Sequence, residues 1–446
     1  MPIPLLYGQQ SDVEKNVINC LESPSIGMTS SEINLRVDSP QLAAPCLQRG
    51  LRVLLYSHDT MGLGHLRRNM LVAEALAEPP CGATCLLVCG ALEANFFRLP
   101  ERADCLTLPR WSKDAGGHYS ASRLGLRQHD LVRLRSDSIR AAVEAFAPDL
   151  VIVDKVPAGA FDELLPTLQL LREQGASVVL GLRDVLDEPT VVAKEWLCPT
   201  NLDVLDRFYD EVWIYGDPQV YNAVTAYNMP KPLVMKCRFT GFLDQSRRVS
   251  EGHLATERLL QTLPTNKRLA ACVVGGGQDG ATLALKFAEA LPAEDYHGVI
   301  IGGPLMPQED LRLIRQSAAR QRNLTVFDFL PEADVLLERA DQVVAMAGYN
   351  TVCSLLSFGK PALLAPRIRP RREQAIRADR LAELGLVDTA PLETLTPADI
   401  RQWLLSATQS PHRAAIDLGG LEVVRDFATR LTTSRRATSA AIRVTT

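Results

Sequence analysis

The chain has 446 residues, more than one hydrophobic core ordinarily serves, and so implies two domains of about 150 to 200 residues. Hydrophobic residues make up 46% and charged residues 22%, proportions that exclude a disordered, collagenous or coiled-coil chain. A formal net charge of -4 gives no global field to gather nucleic acid, which is therefore not an expected partner.

Residues 1–48 are polar and irregular, with no apolar periodicity long enough to define an element, and read as an N-terminal extension. Their start, MPIPLLYGQQSDVEKN, lacks the basic-then-apolar order of a secretory signal, and no stretch approaches the roughly 18 apolar residues of a membrane span. A cytoplasmic protein is expected, with peripheral contact at the inner membrane face and the oligomeric state both left open.

From Leu51 short apolar runs alternate with amphipathic stretches. The runs are LRVLLY (51–56), ATCLLVC (83–89), DLVIVD (149–154), ASVVLGL (176–182) and EVWIYG (211–216). Helix-like stretches lie between them, at 65–78 and 132–147. Near-continuous apolar strands joined by helices predict an α/β fold with a parallel sheet covered on both faces. Cys85 and Cys89 fall inside one such run without histidine or acidic company, so they read as reduced core cysteines rather than metal ligands.

The pattern loosens over residues 228–265, which places a domain junction near 245. It restarts with RLAACVVGGG (268–277), YHGVIIGG (296–303), NLTVFDFL (323–330), DQVVAMAG (341–348) and KPALLAP (360–366). The expected organisation is an extension (1–48), a first Rossmann-like domain (49–245), a second (246–432) and a polar, mobile tail (433–446).

In a doubly wound sheet the ligand sits beyond the carboxyl ends of the strands, where a glycine turn lets backbone N–H groups approach an anion. SHDTMGLGHLRRN, directly after the first strand, occupies that place. Gly62 and Gly64 clear side chains from the turn, and His65 enters the first turn of the next helix. A histidine there suits a general base, or it bonds only the backbone. A second loop, VVGGGQDGATL, brings Gly275, Gly276, Gly277 and Gln278 to the corresponding edge of the second domain. It lacks the lysine of a triphosphate-binding P-loop.

Gly348 ends a strand, and Asn350 or Thr351 is suited to cap the following helix. Glu373 and Gln374 come just after another strand, on a loop or helix start, where a carboxylate can accept bonds from ribose hydroxyls. Asp154 and Asp184 both end first-domain strands; each can orient His65, bind a second substrate, or cap the next element. LPRWSKDAGGHYSASRLG (108–125) reads as a long loop that offers Trp111, His118 and Tyr119 as ligand contacts, or packs them on the surface.

Two tandem α/β domains, GxGH in the first, GGGQ in the second, then FLP with AD, AGxNT, GKPALLAP and EQ resemble nucleotide-sugar glycosyltransferases of the GT-B fold, the MurG-like group in particular. The resemblance implies two Rossmann-like domains facing a cleft, a UDP-sugar donor on the second, a hydroxyl acceptor on the first, no metal and no cofactor. It implies that Leu330 lies by the base, that Gly275 to Gln278 and Gly348 to Thr351 approach the diphosphate, and that Glu373 and Gln374 meet the donor sugar. It assigns His65 a catalytic or acceptor-positioning role in an inverting transfer, and would make Trp111, His118 and Tyr119 acceptor contacts. Ser354 stands where that group carries a ribose-binding glutamate, and Asp279 reads as an insertion beside the phosphate loop. Hydrolysis of a nucleotide-sugar, epimerisation, or binding without chemistry are the alternatives; GLGHLRR also fits the GxGHxxR stretch of MurG-like hydrolases.

Overall fold

The computed structural model describes residues 50–58, 63–113, 119–121, 124–250, 254–292, 295–406 and 416–445. Seven parallel strands build the first sheet in the order β3-β2-β1-β6-β7-β8-β9. They are β1 (Arg52–Ser57), β2 (Thr84–Cys89), β3 (Ala103–Thr107), β6 (Leu150–Asp154), β7 (Ser177–Arg183), β8 (Glu211–Tyr215) and β9 (Cys237–Phe239). A separate antiparallel hairpin joins β4 (Trp111–Lys113) to β5 (Tyr119–Ala121). The stretch 108–125, expected to be a loop, thus contains two strands too short and too polar to announce themselves.

The second sheet has six parallel strands in the order β12-β11-β10-β13-β14-β15. These are β10 (Arg268–Val273), β11 (Tyr296–Ile301), β12 (Leu324–Phe327), β13 (Gln342–Ala345), β14 (Ala362–Leu364) and β15 (Asp388–Thr389). The doubly wound α/β reading therefore holds for both lobes.

Period-2 alternation sorts each strand between two cores. Val53 and Leu55 enter one cluster while Leu54 and Tyr56 enter the opposite one. In the second sheet Ala271 and Val273 join the same cluster as Val53, while Ala270 and Cys272 form a third. One apolar core is therefore continuous between the lobes. The last helix, Gly420–Thr445, contributes Leu421, Val424 and Ala428 to that shared core, and its Phe427 lies 5.9 Å from Trp213 of β8. Residues 420–432, which follow the second sheet in sequence, pack on the first. Residues 433–445, expected as part of a polar, mobile tail, continue this helix. The described cysteines are all free thiols.

Beneath the first lobe, Glu163 accepts from Arg135 Nε (2.6 Å) and Nη2 (2.8 Å) and from the Tyr56 hydroxyl, and both charged side chains are fully buried. Removing one partner strands a buried charge. Glu163→Ala is expected to cost about 3–5 kcal/mol, and Tyr56→Phe only about 1 kcal/mol, measured by urea unfolding.

Candidate active site

In each sheet the strand order reverses beside the first strand, between β1 and β6 in one and between β10 and β13 in the other. Such switch points open a crevice at the carboxyl ends, where ligands bind in open α/β sheets. The loop after β1 leads into the helix Gly64–Ala77, and Asp154 is the last residue of β6.

His65 Nδ1 lies 3.0 Å from Asp154 Oδ1, and the Arg68 guanidinium bonds Asp154 Oδ2. Arg68 Nη2 is also 3.1 Å from His65 Nδ1. A guanidinium only donates, so it competes with the carboxylate for the role of Nδ1; the bonded carboxylate favours a proton on Nδ1, which leaves Nε2 with its lone pair. His65 keeps 15% of its side chain exposed while Asp154 keeps 1%, so a reactant can reach the imidazole but not the carboxylate. Burial opposes ionisation of Asp154, yet Arg68 and His65 outweigh it and hold the carboxyl well below the usual range.

Asp184 has a different partner. It accepts from Arg377 Nε (2.8 Å) and Nη2 (2.6 Å), and Arg377 Nη1 donates to Ala347 O at 2.9 Å. Its carboxylate ties the lobes together instead of orienting His65, because Arg377 reaches across from the helix Glu373–Glu383. Asp187 likewise accepts from Arg371 Nη1 and from the Arg372 backbone, each at 2.9 Å. Tyr349 is buried between Arg68 of one lobe and Arg377 of the other, whose guanidinium carbons lie 5.5 and 5.8 Å from its ring centre.

On the second lobe Gly275, Gly276 and Gly277 form the turn after β10, and Gln278 and Asp279 are exposed beyond it. Gly277 has φ +88°, and an added Cβ would stand 2.1 Å from Gly302 O, so the turn admits only glycine there. Gly348 is itself the N-cap of the helix Tyr349–Phe358, which has no side-chain cap bond. Asn350, expected as that cap, donates to Gly64 O at 3.0 Å across the lobes, and Thr351 follows it in the first turn. The first amides of this helix are therefore left without side-chain acceptors at the switch point.

Arg367, within the RIRPRR stretch, joins the two candidate donor elements. It bonds Asp279 at 2.9 Å and Glu373 at 3.1 Å, while its backbone N–H donates to the side chain of Gln374 at 3.4 Å. Glu373 is 2% exposed at its side chain, and its Oε2 is buried without a partner. Burial would raise its carboxyl, but Arg183 and Arg367 lower it overall.

Two expected side-chain contacts fall elsewhere. Trp111 is 0% exposed, packed 4.7 Å from Phe161 and beneath Arg135, so its indole belongs to the lobe interior, not to an acceptor surface. Leu330 is 2% exposed and its side chain lies in the shared core, which removes that side chain from a base contact. Ser354 is buried, donating to Asp334 at 2.5 Å, and Asp334 accepts from Arg67 of the first lobe at 2.5 Å. Gly62 and His118 lie outside the described residues; Tyr119 lies in β5, opposite Lys113.

Arg68, Lys155, Arg183 and Arg377 had no assigned role from sequence. Arg68 had one signal, its place three residues after His65 in GHxxR; Lys155 and Arg183 adjoin the two strand-end aspartates. His58 Nδ1, Arg68 Nε, Arg183 Nε, Arg367 Nε, Asn350 Oδ1 and Glu373 Oε2 are all buried without a partner at these strand ends. Buried polar groups are ordinarily satisfied, so these unmet donors and acceptors make the strand ends the candidate site. Among the described residues no cluster suited to a metal ion occurs, and no helix is long and apolar enough to cross a membrane.

Asp154 links this geometry to acid stability. Its folded carboxyl titrates below the unfolded value of about 3.9, so its contribution is present above that pH and lost as pH falls toward the folded value. Asp154→Asn is expected to flatten the acid limb of the stability–pH curve below about pH 5. Asp154→Ala, which leaves Arg68 unpaired, is expected to cost about 3–5 kcal/mol by urea unfolding at pH 7.

Residues 270–419 match the glycosyltransferase family 28 C-terminal domain. Over 144 residues the chain is 28% identical to a UDP-N-acetylglucosamine--N-acetylmuramyl-(pentapeptide) pyrophosphoryl-undecaprenol N-acetylglucosamine transferase of Streptomyces collinus; the match spans 32% of this chain and only 39% of that relative. Among solved structures, the glycosyltransferase of kitacinnamycin aligns with a TM-score of 0.51 at 18% identity, covering 89% of this chain and 99% of that one. The UDP-GlcNAc 2-epimerase of Neisseria meningitidis aligns with a TM-score of 0.55 at 13% identity, covering 86% and 100%. At these identities the structures establish the fold. The chain thus has the two-lobed GT-B fold, and residues 270–419 of its second lobe are similar to the glycosyltransferase family 28 C-terminal domain.

Proposed function

We propose that the protein is an inverting glycosyltransferase that moves a sugar from a nucleotide-sugar, of the UDP class, to an acceptor hydroxyl. The observation that carries this reading is His65, held by a buried carboxylate and partly exposed at one switch point, opposite the glycine turn and the uncapped helix start at the other. The family 28 match in the second lobe and the name of the Streptomyces relative support the choice of donor.

In this reaction the acceptor oxygen attacks the anomeric carbon while His65 Nε2 takes its proton, with Asp154 stabilising the imidazolium that forms. The bond from that carbon to the diphosphate oxygen breaks, and the nucleoside diphosphate leaves with the electron pair. The amides of the Gly275–Gly277 turn and of the helix beginning at Tyr349 receive the developing charge. Glu373 and Gln374, at the start of the next helix, hold sugar hydroxyls. Electrostatic stabilisation by backbone dipoles and arginines serves this step without a divalent cation. The expected setting is cytoplasmic, with the acceptor brought to the first lobe, from solution or from a membrane surface.

The test is incubation with UDP-sugars, with and without candidate acceptors, followed by mass spectrometry. Product formed only with acceptor supports transfer; free sugar released in its absence indicates hydrolysis, and binding without turnover a sensor. His65→Ala is expected to lower kcat about 10²- to 10⁴-fold while leaving the Kd for UDP within about threefold, since base and donor elements lie on different lobes. Undiminished turnover in that variant removes His65 from the chemistry.

A further inference from the structure

Lys155 and Arg183 emerge side by side at the crevice. β6 and β7 pair in parallel with Asp154 beside Gly181; Lys155 is the next residue of the first chain segment and Arg183 ends the second. The Lys155 backbone is fixed on three counts. Its N–H donates to Gly181 O at 2.9 Å, its carbonyl accepts from Trp196 Nε1 at 2.9 Å, and its φ is +66°, a left-handed conformation uncommon for a side-chain-bearing residue. The fold thus holds this lysine against local preference, as it does at functional loops.

Other arginines around the crevice have carboxylate partners: Arg68 has Asp154, Arg377 has Asp184, Arg371 has Asp187 and Arg367 has Glu373. Lys155 and Arg183 have none. Among the described residues neither side chain makes a hydrogen bond or an ion pair, both are partly buried, and Arg183 Nε is enclosed without a partner. Burial, then Arg183 and Arg371, bring the Lys155 ammonium down to about 7, against the opposite pull of Glu373 and Asp154. The charge of Lys155 also acts on His58, after β1. Two cations confined together with no carboxylate in bonding contact, and with Glu373 and Asp154 acting only at longer range, are unfavourable until an anion joins them.

We propose that Lys155 and Arg183 form an anion subsite on the first-lobe side of the crevice, taking a phosphate or carboxylate group of the bound ligand. The identity of that ligand rests on the nucleotide-sugar reading; the anion subsite itself does not. The fork of Arg183 suits two oxygens of either group, and Lys155 adds a point charge. The anion is either the donor's diphosphate or a carboxylate on the transferred sugar.

Calorimetric titration of the full chain with inorganic pyrophosphate, UDP, UDP-N-acetylglucosamine and UDP-glucuronate tests this, alongside Lys155→Met, Arg183→Met and the double variant, with folding checked by circular dichroism. A loss of tenfold or more in the double variant for pyrophosphate and all three nucleotides upholds the subsite and assigns it the diphosphate. A loss confined to UDP-glucuronate upholds it and assigns it the sugar carboxylate. Affinities within twofold of the parent for every anion the parent binds overturn it, whatever the nucleotide-sugar reading does. Parent binding of pyrophosphate through this pair, without binding of any UDP ligand, keeps the subsite and removes the nucleotide-sugar reading; parent binding of none of the four overturns both. Where a Met variant does not fold, Lys155→Arg supplies the readout. The parent's anion affinity is expected to fall between pH 6 and pH 8.5 and that of Lys155→Arg to stay level, and equal pH dependence in the two overturns the role of Lys155.

Discussion

The site depends on a single buried carboxylate. Asp154 ends a strand whose five residues are all buried, so its charge is tolerable only because Arg68 and His65 meet it at once. That requirement links a strand end, a helix start and the imidazole's orientation in one arrangement. A buried pair of this kind adds little net stability, since desolvation offsets most of the attraction, but it is costly to break. Its effect is to hold an imidazole at a switch point with one nitrogen committed and the other reachable.

The lobes are held by the same kind of interaction. Asp184 with Arg377, Asp187 with Arg371, Arg67 with Asp334, and Asn350 with the Gly64 carbonyl all cross between them. Beneath these polar contacts the shared core and the returning C-terminal helix join the lobes by apolar packing. Charged contacts near the crevice fix geometry through direction and distance, whereas the core below contributes most of the burial energy without specifying angle. These contacts fix the placement of one switch point against the other.

The parallel sheets were legible in the sequence because strands covered on both faces must be apolar throughout, as LVIVD and EVWIY are. The glycine turns and His65 were legible because each lobe's first strand must be followed by its switch-point loop. The carboxylate partners were not. Arg68 and Asp154 stand 86 residues apart, and Arg377 and Asp184 193 apart, so no local pattern distinguishes the aspartate that orients His65 from the one that ties the lobes. Trp111 misled for a related reason. An aromatic residue in a polar, glycine-containing stretch reads as a surface loop, yet β4 turns its indole beneath Phe161 and Arg135.

The claim at the centre of this account is that Asp154 holds His65 with its Nε2 free to accept a proton. Nitrogen-15 NMR of the uniformly labelled protein, with the His65 signals assigned by their loss in His65→Gln, measures that tautomer directly. The account predicts that the neutral imidazole carries its proton on Nδ1 and leaves Nε2 unprotonated. A neutral ring protonated at Nε2 would contradict it.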